Sequence, residues 1–431
     1  MVFHLIVENF GKVQFADIEL SNMVVLVGNN NSGKTMLMQL IYGLQKKLVD
    51  LPISTEGSET SDLHGQWLVR CAQNWFDVII YNVNEYLQSN KENIVREIFG
   101  TNIPIGSLQI SLDDAENTYY VGSMPEFSDE SQSDQGISVD IREYENGINK
   151  RFFEVNICGK NTLEDAIQQI LTLIWRIILT DDVGIEKNQL FLPASRSGLQ
   201  LLYRYYFAEE TKRDMVLPMK DFLRFLQLYA PDIQLDVSRS NLLEFGESHM
   251  LQGKVFQREN EMFYIENQNG KEIPLYIASS MIHELTPFVM ALTSTQKINW
   301  LFCDEVETSL HPLMQREMAR WLIRMVNEGM HVIISSHSDT MASRLNNLLM
   351  LTALIRKKAN YMILEELGLV EADLLNRNAA ISVYEFHSNE MENSIVKKLK
   401  FISCPLMGYD FQLFSKNLDK LYDEADKITG N

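Results

Sequence analysis

The most constraining feature of the chain is a short apolar run, Met23 to Val27, that passes into Gly28-Asn29-Asn30-Asn31-Ser32-Gly33-Lys34-Thr35 and then into a helical pattern. This peptide fits Gly-x4-Gly-Lys-[Ser/Thr], and it stands where a phosphate-cradling loop has to stand, between a strand and a helix. Glycines let the backbone curl so that successive N–H groups and the positive helix end face an anion. Lys34 would then reach the β- and γ-phosphates of ATP, and the Thr35 hydroxyl would ligate Mg2+. The expected nucleotide-binding stretch runs through Gly28, Asn29, Asn30, Asn31, Ser32, Gly33, Lys34, Thr35 and Met36. Met36, Leu37, Leu40, Ile41 and Leu44 share one helical face, which supports a helix from about 34 to 47.

A loop of this kind needs acids to hold the metal and to activate water. The segment Ile298 to Cys303 is mostly apolar and ends in Asp304 and Glu305, and acids at the carboxyl end of a strand face the crevice of an α/β sheet. Asp304 is the expected Mg2+ partner, with Glu305 as the residue that orients and deprotonates the attacking water. A turn, Glu307-Thr308-Ser309-Leu310-His311-Pro312, follows, with Pro312 placed to open a helix. The next strand pattern, Val332-Ile333-Ile334, ends in Ser335-Ser336-His337. A histidine there can donate to the γ-phosphate or its attacking water and so distinguish ATP from ADP. The catalytic set predicted from sequence is therefore Glu305, His337 and Lys34, with Thr35 and Asp304 at the metal.

The rest of the chain organises around these motifs. Residues 3–7 and 13–20 read as strands, 50–62 as polar and irregular, and 65–99 as helical. The stretch 105–158 holds alternating segments broken by a Ser/Asp/Glu/Gln-rich part at 126–136, expected to be a mobile acidic loop. A helix at 162–179, a strand at 188–192, further helices to about 229 and a small meander at 253–277 come next. From 279 onward helix, strand, helix, strand and helix alternate, the pattern of a parallel α/β sheet. The boundaries expected are an N-terminal core part at 1–49, an inserted α+β lobe at 50–187, a C-terminal core part at 188–350 and a C-terminal α/β extension of the core at 351–431. The fold class that follows is α/β: a P-loop NTPase with a mixed sheet and helices on both faces.

Composition narrows the partners. The chain has 431 residues, more than one ordinary core needs, and 58 acidic against 38 basic side chains leave a formal charge of −20. That charge repels a nucleic-acid backbone unless basic residues gather on one face. No apolar run is long enough for a membrane helix, and the N-terminus, interrupted by Glu8, reads as a first strand, so a cytoplasmic protein is expected. Cysteines 71, 158, 303 and 404 lack metal-ligand spacing, and neither disulfides nor zinc are expected.

The ordered motifs resemble the heads of ABC-type ATPases, in particular the OLD family and the related ATPases of the PARIS and Septu phage-defence systems. The likeness covers 1–45 and 188–345. It rests on Gly28, Asn30, Ser32, Gly33, Lys34 and Thr35, on Asp304 and Glu305, on His337, and on Leu310-His311-Pro312 after the D-loop. It implies that Ala278 to Leu285 takes the place of the ABC signature, with Ser279 and Ser280 capping a nucleotide held by a second copy, although Met281 stands where glycine is common. Phe191-Leu192-Pro193-Ala194-Ser195-Arg196-Ser197-Gly198 resembles a peptide of the same group near the usual Q-loop, and Arg196 is a candidate phosphate donor in place of the absent glutamine.

The resemblance implies a nucleotide-driven dimerisation switch: a homodimer or higher homo-oligomer of heads around ATP, controlling a separate effector, for which a nuclease is one candidate, in response to a phage component. The stretch after His337 has no Asp-x-Asp, so a built-in Toprim nuclease is not expected. The competing reading is a RecF- or SMC-like ATPase that clamps DNA, which should carry a basic stripe. A transporter motor fits worse, given the insertion and the missing glycine-rich signature.

Overall fold

The computed structural model describes residues 2–63, 66–113, 118–125, 137–157, 162–180, 189–194, 196–201, 215–232, 234–259, 261–268, 270–359, 361–388, 393–413 and 427. The acidic stretch at 126–136, Cys158 and Ser195 lie outside them. The chain opens with β1 (Val2–Phe10) and β2 (Val13–Glu19), followed by β3 (Met23–Gly28) and α1 (Lys34–Val49). Next come α2 (Gln73–Phe99), β4 (Ser107–Asp113), α3 (Leu163–Thr180), β5 (Gln189–Leu192), α4 (Leu217–Leu228) and α5 (Val237–Phe245). The last part runs α6 (Ser280–Thr293), β6 (Trp300–Cys303), α7 (Pro312–Asn327), β7 (His331–Ser336), α8 (Asp339–Lys358), β8 (Ile381–Ser388) and β9 (Ser394–Lys398).

These strands form one nine-stranded sheet in the order β5-β6-β7-β3-β8-β9-β2-β1-β4. From β5 to β8 every pairing is parallel. Beyond β8 the sheet becomes mixed: β8 with β9, β2 with β1 and β1 with β4 are antiparallel, while β9 and β2 are parallel. The reason is in the strands themselves. Every residue of β3, β6 and β7 is buried, the near-continuous apolar type that needs cover on both faces. Side chains alternate across the sheet, so Val24, Leu26, Phe302 and Ile333 enter one core with α1, α2 and α3. Val25, Val27, Leu301, Cys303 and Ile334 enter the other with α4 to α8. The architecture is the α/β sheet with helices on both faces that the motif order predicts.

Two boundaries differ from the sequence-based expectation. Within the inserted stretch, β4 leaves its neighbours and pairs with β1, extending the core sheet, because its buried face, Leu108 and Ile110, joins the α1–α3 core. Residues 66–71, expected to begin a helix, form a strand instead. With 59–63, 118–125, 137–145 and 148–157 it builds a separate five-stranded antiparallel sheet. The second difference lies in the expected C-terminal extension. Its strand β8 pairs in parallel with β3 through Ile381↔Met23 to Phe386↔Gly28, so it belongs to the centre of the core. Among the described residues no helix is long and apolar enough to cross a membrane.

Candidate nucleotide site

The sheet brings the carboxyl ends of β3, β6 and β7 side by side, and the candidate residues sit on the loops that leave them. Gly33 caps α1 at φ 95°, where a side chain would be strained and its Cβ would meet Val13 Cγ2 at 2.9 Å. Gly28 answers a different constraint: a Cβ there would lie 2.8 Å from Phe386 Cβ on β8. Asn31, at φ 61°, takes the left-handed turn that asparagine tolerates better than most residues. The buried ammonium of Lys34 donates to the carbonyls of Gly28 at 2.9 Å and Asn29 at 2.8 Å, and to Ser32 Oγ at 3.3 Å. Burial lowers the Lys34 pKa to about 8, against the opposing pull of Asp304, Glu305 and Glu307.

Asp304 is buried at the end of β6, and the Thr35 hydroxyl donates to both of its oxygens, at 3.0 and 2.9 Å. Burial raises the Asp304 carboxyl above its ordinary range, and the hydrogen bonds from Ser335 and Thr35 oppose that shift. Glu305 follows in a left-handed conformation, φ 47°. Its carboxylate lies 3.3 Å from His337 Nε2, and His337 Nδ1 lies 2.9 Å from the Gly28 carbonyl. Lys34 Nζ is 3.3 Å from the same Nδ1. The structure therefore brings Lys34, Thr35, Asp304, Glu305 and His337 into one connected cluster, with the stretch Gly28 to Met36 running along it.

The metal donors can be tested on chemistry. Mg2+ takes oxygen ligands in tight octahedral geometry and is usually held by one or two protein oxygens plus phosphates and water. Thr35 Oγ1 and the Asp304 carboxylate are adjacent oxygen donors of this kind. Among the described residues no group of three or more His, Cys, Asp or Glu side chains is placed to hold a metal by itself. Thr35 and Asp304 fit the ion.

Other expected residues lie elsewhere. Ser279 and Ser280 are exposed at the start of α6, where the Ser279 hydroxyl accepts from Ile282 N at 3.5 Å, beside exposed Tyr276 and Ile277. Arg196 requires a correction: it is wholly buried and not a phosphate donor. Its Nε meets Glu284 Oε2 at 2.7 Å, and its Nη1 donates to the carbonyls of Pro193 at 3.2 Å and Asp304 at 3.1 Å. The short run after β5 tucks this guanidinium beneath α6, where Glu284 neutralises it. His311 Nδ1 accepts from Leu313 N at 3.4 Å, at the start of α7.

Two contributors were missed from sequence. The Ser335 hydroxyl donates to Asp304 Oδ1 at 2.6 Å, and Glu307 accepts the backbone N–H of His337. The serine pair before His337 and the glutamate two residues past Glu305 were visible, but nothing in spacing said that they face each other's loop.

The fold and this arrangement of loops define a P-loop NTPase. Residues 174–342 match a family described as an AAA domain, putative AbiEii toxin of a type IV toxin–antitoxin system. That segment includes β5, α6, β6, β7 and His337 but not the Lys34 loop. Among curated proteins none matches the sequence. Similar solved structures include the SMC head domain from Thermotoga maritima, with 11% identity, 93% of this chain and 99% of that one covered, and a TM-score of 0.35. Another is an Smc head bound to the C-terminal winged-helix domain of ScpA, with 12% identity, 94% and 99% coverage and a TM-score of 0.38. A third is an Smc head with an extended coiled coil bound to the C-terminal domain of ScpA, derived from Pyrococcus furiosus, with 12% identity, 98% and 99% coverage and a TM-score of 0.36.

Proposed function

We propose that the chain binds and hydrolyses ATP with Mg2+ and works as a nucleotide-driven dimerisation switch in the cytoplasm. The observation that carries this reading is the single cluster formed by Lys34, Thr35, Asp304, Glu305 and His337 from three separate loops. In that cluster the loop N–H groups and Lys34 receive the phosphates, and Thr35 with Asp304 holds Mg2+, which when bound offsets phosphate charge. Glu305 takes a proton from the attacking water. His337 turns Nε2 toward the same region and stabilises charge on the γ-phosphate.

Two features support a second head. Ser279, which caps α6 through Ile282 N, and Ser280 are exposed at a helix N-terminus, an electropositive end suited to an anion, and Tyr276 and Ile277 beside them are 68% and 60% exposed. ATP can drive closure only if it binds the closed pair more tightly than the open chain, which a nucleotide shared between two heads provides. We read the output as control of a separate effector protein in bacterial defence against phage, with a phage component as trigger. This extends the resemblance to the OLD, PARIS and Septu group, and the description of the family matched at 174–342 is compatible with it.

The test is light scattering with and without ATP. Glu305→Gln should bind ATP and accumulate as a dimer, whereas Lys34→Ala should bind weakly and stay a monomer. A Glu305→Gln protein that remains monomeric at saturating ATP overturns the switch. A gel shift across a salt series with ATP separates the DNA-clamp alternative, which predicts binding that fades as salt rises.

A further inference from the structure

We propose that Ser335 and Glu307 are positioning residues for hydrolysis, a reciprocal brace in which each of two adjacent loops orients the reacting side chain of the other. The inference rests on the ATPase reading above and names what that chemistry further requires of this chain.

Ser335 is the penultimate residue of β7 and is wholly buried. A hydroxyl has one proton to give and two lone pairs to accept with. Here the proton goes to Asp304 Oδ1 at 2.6 Å, and a lone pair receives the Glu305 N–H at 2.9 Å. The main chain repeats the link one residue on, where Val306 N donates to the Ser335 carbonyl at 3.2 Å. The bonded residue, Glu305, is the one held at φ 47°, a conformation that a glutamate keeps only where its surroundings impose it. One hydroxyl thus fixes the carboxylate at the metal position and the backbone that aims the water-activating acid.

The return arm starts from the loop after β6. Glu307 Oε1 accepts the backbone N–H of His337, at the point where the chain leaves β7. The second oxygen, Oε2, is buried with no hydrogen-bond partner, so Oε1 and the His337 N–H carry the contact between the two loops. His337 is held at its main chain by the acid loop while its ring reaches Gly28 and Glu305. During hydrolysis the water oxygen bonds to the γ-phosphorus, the bond from that phosphorus to the bridging oxygen breaks, ADP leaves with that oxygen, and the water proton passes to Glu305. Neither Ser335 nor Glu307 exchanges a proton in this step; both set the geometry in which it occurs.

The test compares steady-state kcat and KM and equilibrium ATP binding in the full chain. Ser335→Ala should lower kcat by about 10- to 100-fold, the scale of a small misplacement of a reacting group. Its ATP affinity should stay within about threefold, and Ser335→Thr, which keeps the hydroxyl, should recover turnover. Glu307→Ala should lower kcat about tenfold, while Glu307→Gln, which keeps an acceptor oxygen, should lose less. In a His337→Ala background Glu307→Ala should cost almost nothing more, because it acts through the missing ring; independent sites would multiply instead. Wild-type turnover in Ser335→Ala, or undiminished multiplication of the Glu307→Ala and His337→Ala losses, overturns the brace and leaves the ATPase reading standing. A wild-type chain that binds ATP and never hydrolyses it overturns that reading itself.

Discussion

The nine-stranded and five-stranded sheets of this molecule place their polar groups differently. In the parallel strands β5, β6, β7 and β3 both faces are covered by helices, and polar side chains enter only at the strand ends, where Asp304, Ser335 and the Lys34 loop meet. The five-stranded antiparallel sheet buries one face, with Val69, Tyr120, Val139 and Ile141 against α3, and leaves the other open. On that open face Tyr119 stacks on Tyr144 at 4.9 Å and Arg70 lies over Tyr119 at 4.7 Å. The difference teaches where chemistry can be built. A doubly covered sheet excludes water around a few strand ends and holds them rigidly, whereas a half-open sheet spreads polar and aromatic groups over a wet surface, where each interaction is weak.

The contrast can be broken or sharpened by substitution. The largest effect is expected at the strand ends: Glu305→Gln should reduce ATP turnover by about 10²- to 10⁴-fold, the range for removing a positioned base, measured as phosphate release. Next is the doubly covered core. Trp321 on α7 is wholly buried against Phe288, and Trp321→Ala should destabilise the fold by about 3–5 kcal/mol in urea denaturation. Tyr144→Ala on the open face should cost only about 0.2–1 kcal/mol and leave turnover unchanged. A Tyr144→Ala protein with lost ATPase activity would mean that the outer sheet is coupled to the site, and the contrast would fail.

The smallest expected effect is a pH dependence at α6. Burial lowers the pKa of His283, partly offset by the Leu275 carbonyl. In the unfolded chain the imidazole takes a proton near its ordinary value while the folded one resists, so stability falls as pH drops through about 6.5 and is full above it. His283→Gln should flatten that part of a melting-temperature profile between pH 5 and 7.5.

Much of the fold was readable because its signals are local. The alternation from α6 to α8 shows as apolar strands and amphipathic helices, each ended by its own cap, Ser279, His311 or Ser338. Lys34 and Asp304 were readable for the same reason, since a loop between strand and helix and an acid at a strand end carry their geometry with them. What stayed hidden depends on distant pairing. β8 carries Glu385 and His387 among its apolar residues, so its pattern does not announce a central strand, and only its pairing with β3 reveals one. β4 reads as part of an insertion because its partner, β1, is separated from it in the sequence by α1, α2 and the strands between them. The resemblance of its peptide suggests a phosphate contact for Arg196, whereas its neutralising partner, Glu284, comes from a separate helix that no local pattern brings to it.

The position of β8 also sets an order of events during synthesis. The strand that flanks the phosphate loop on one side, and whose Phe386 packs where Gly28 has no side chain, is made long after the loop itself. A growing chain still attached to the ribosome before residue 381 has β3 paired on one edge alone, with β7, so the sheet around the Gly28 loop closes only after β8 has been made.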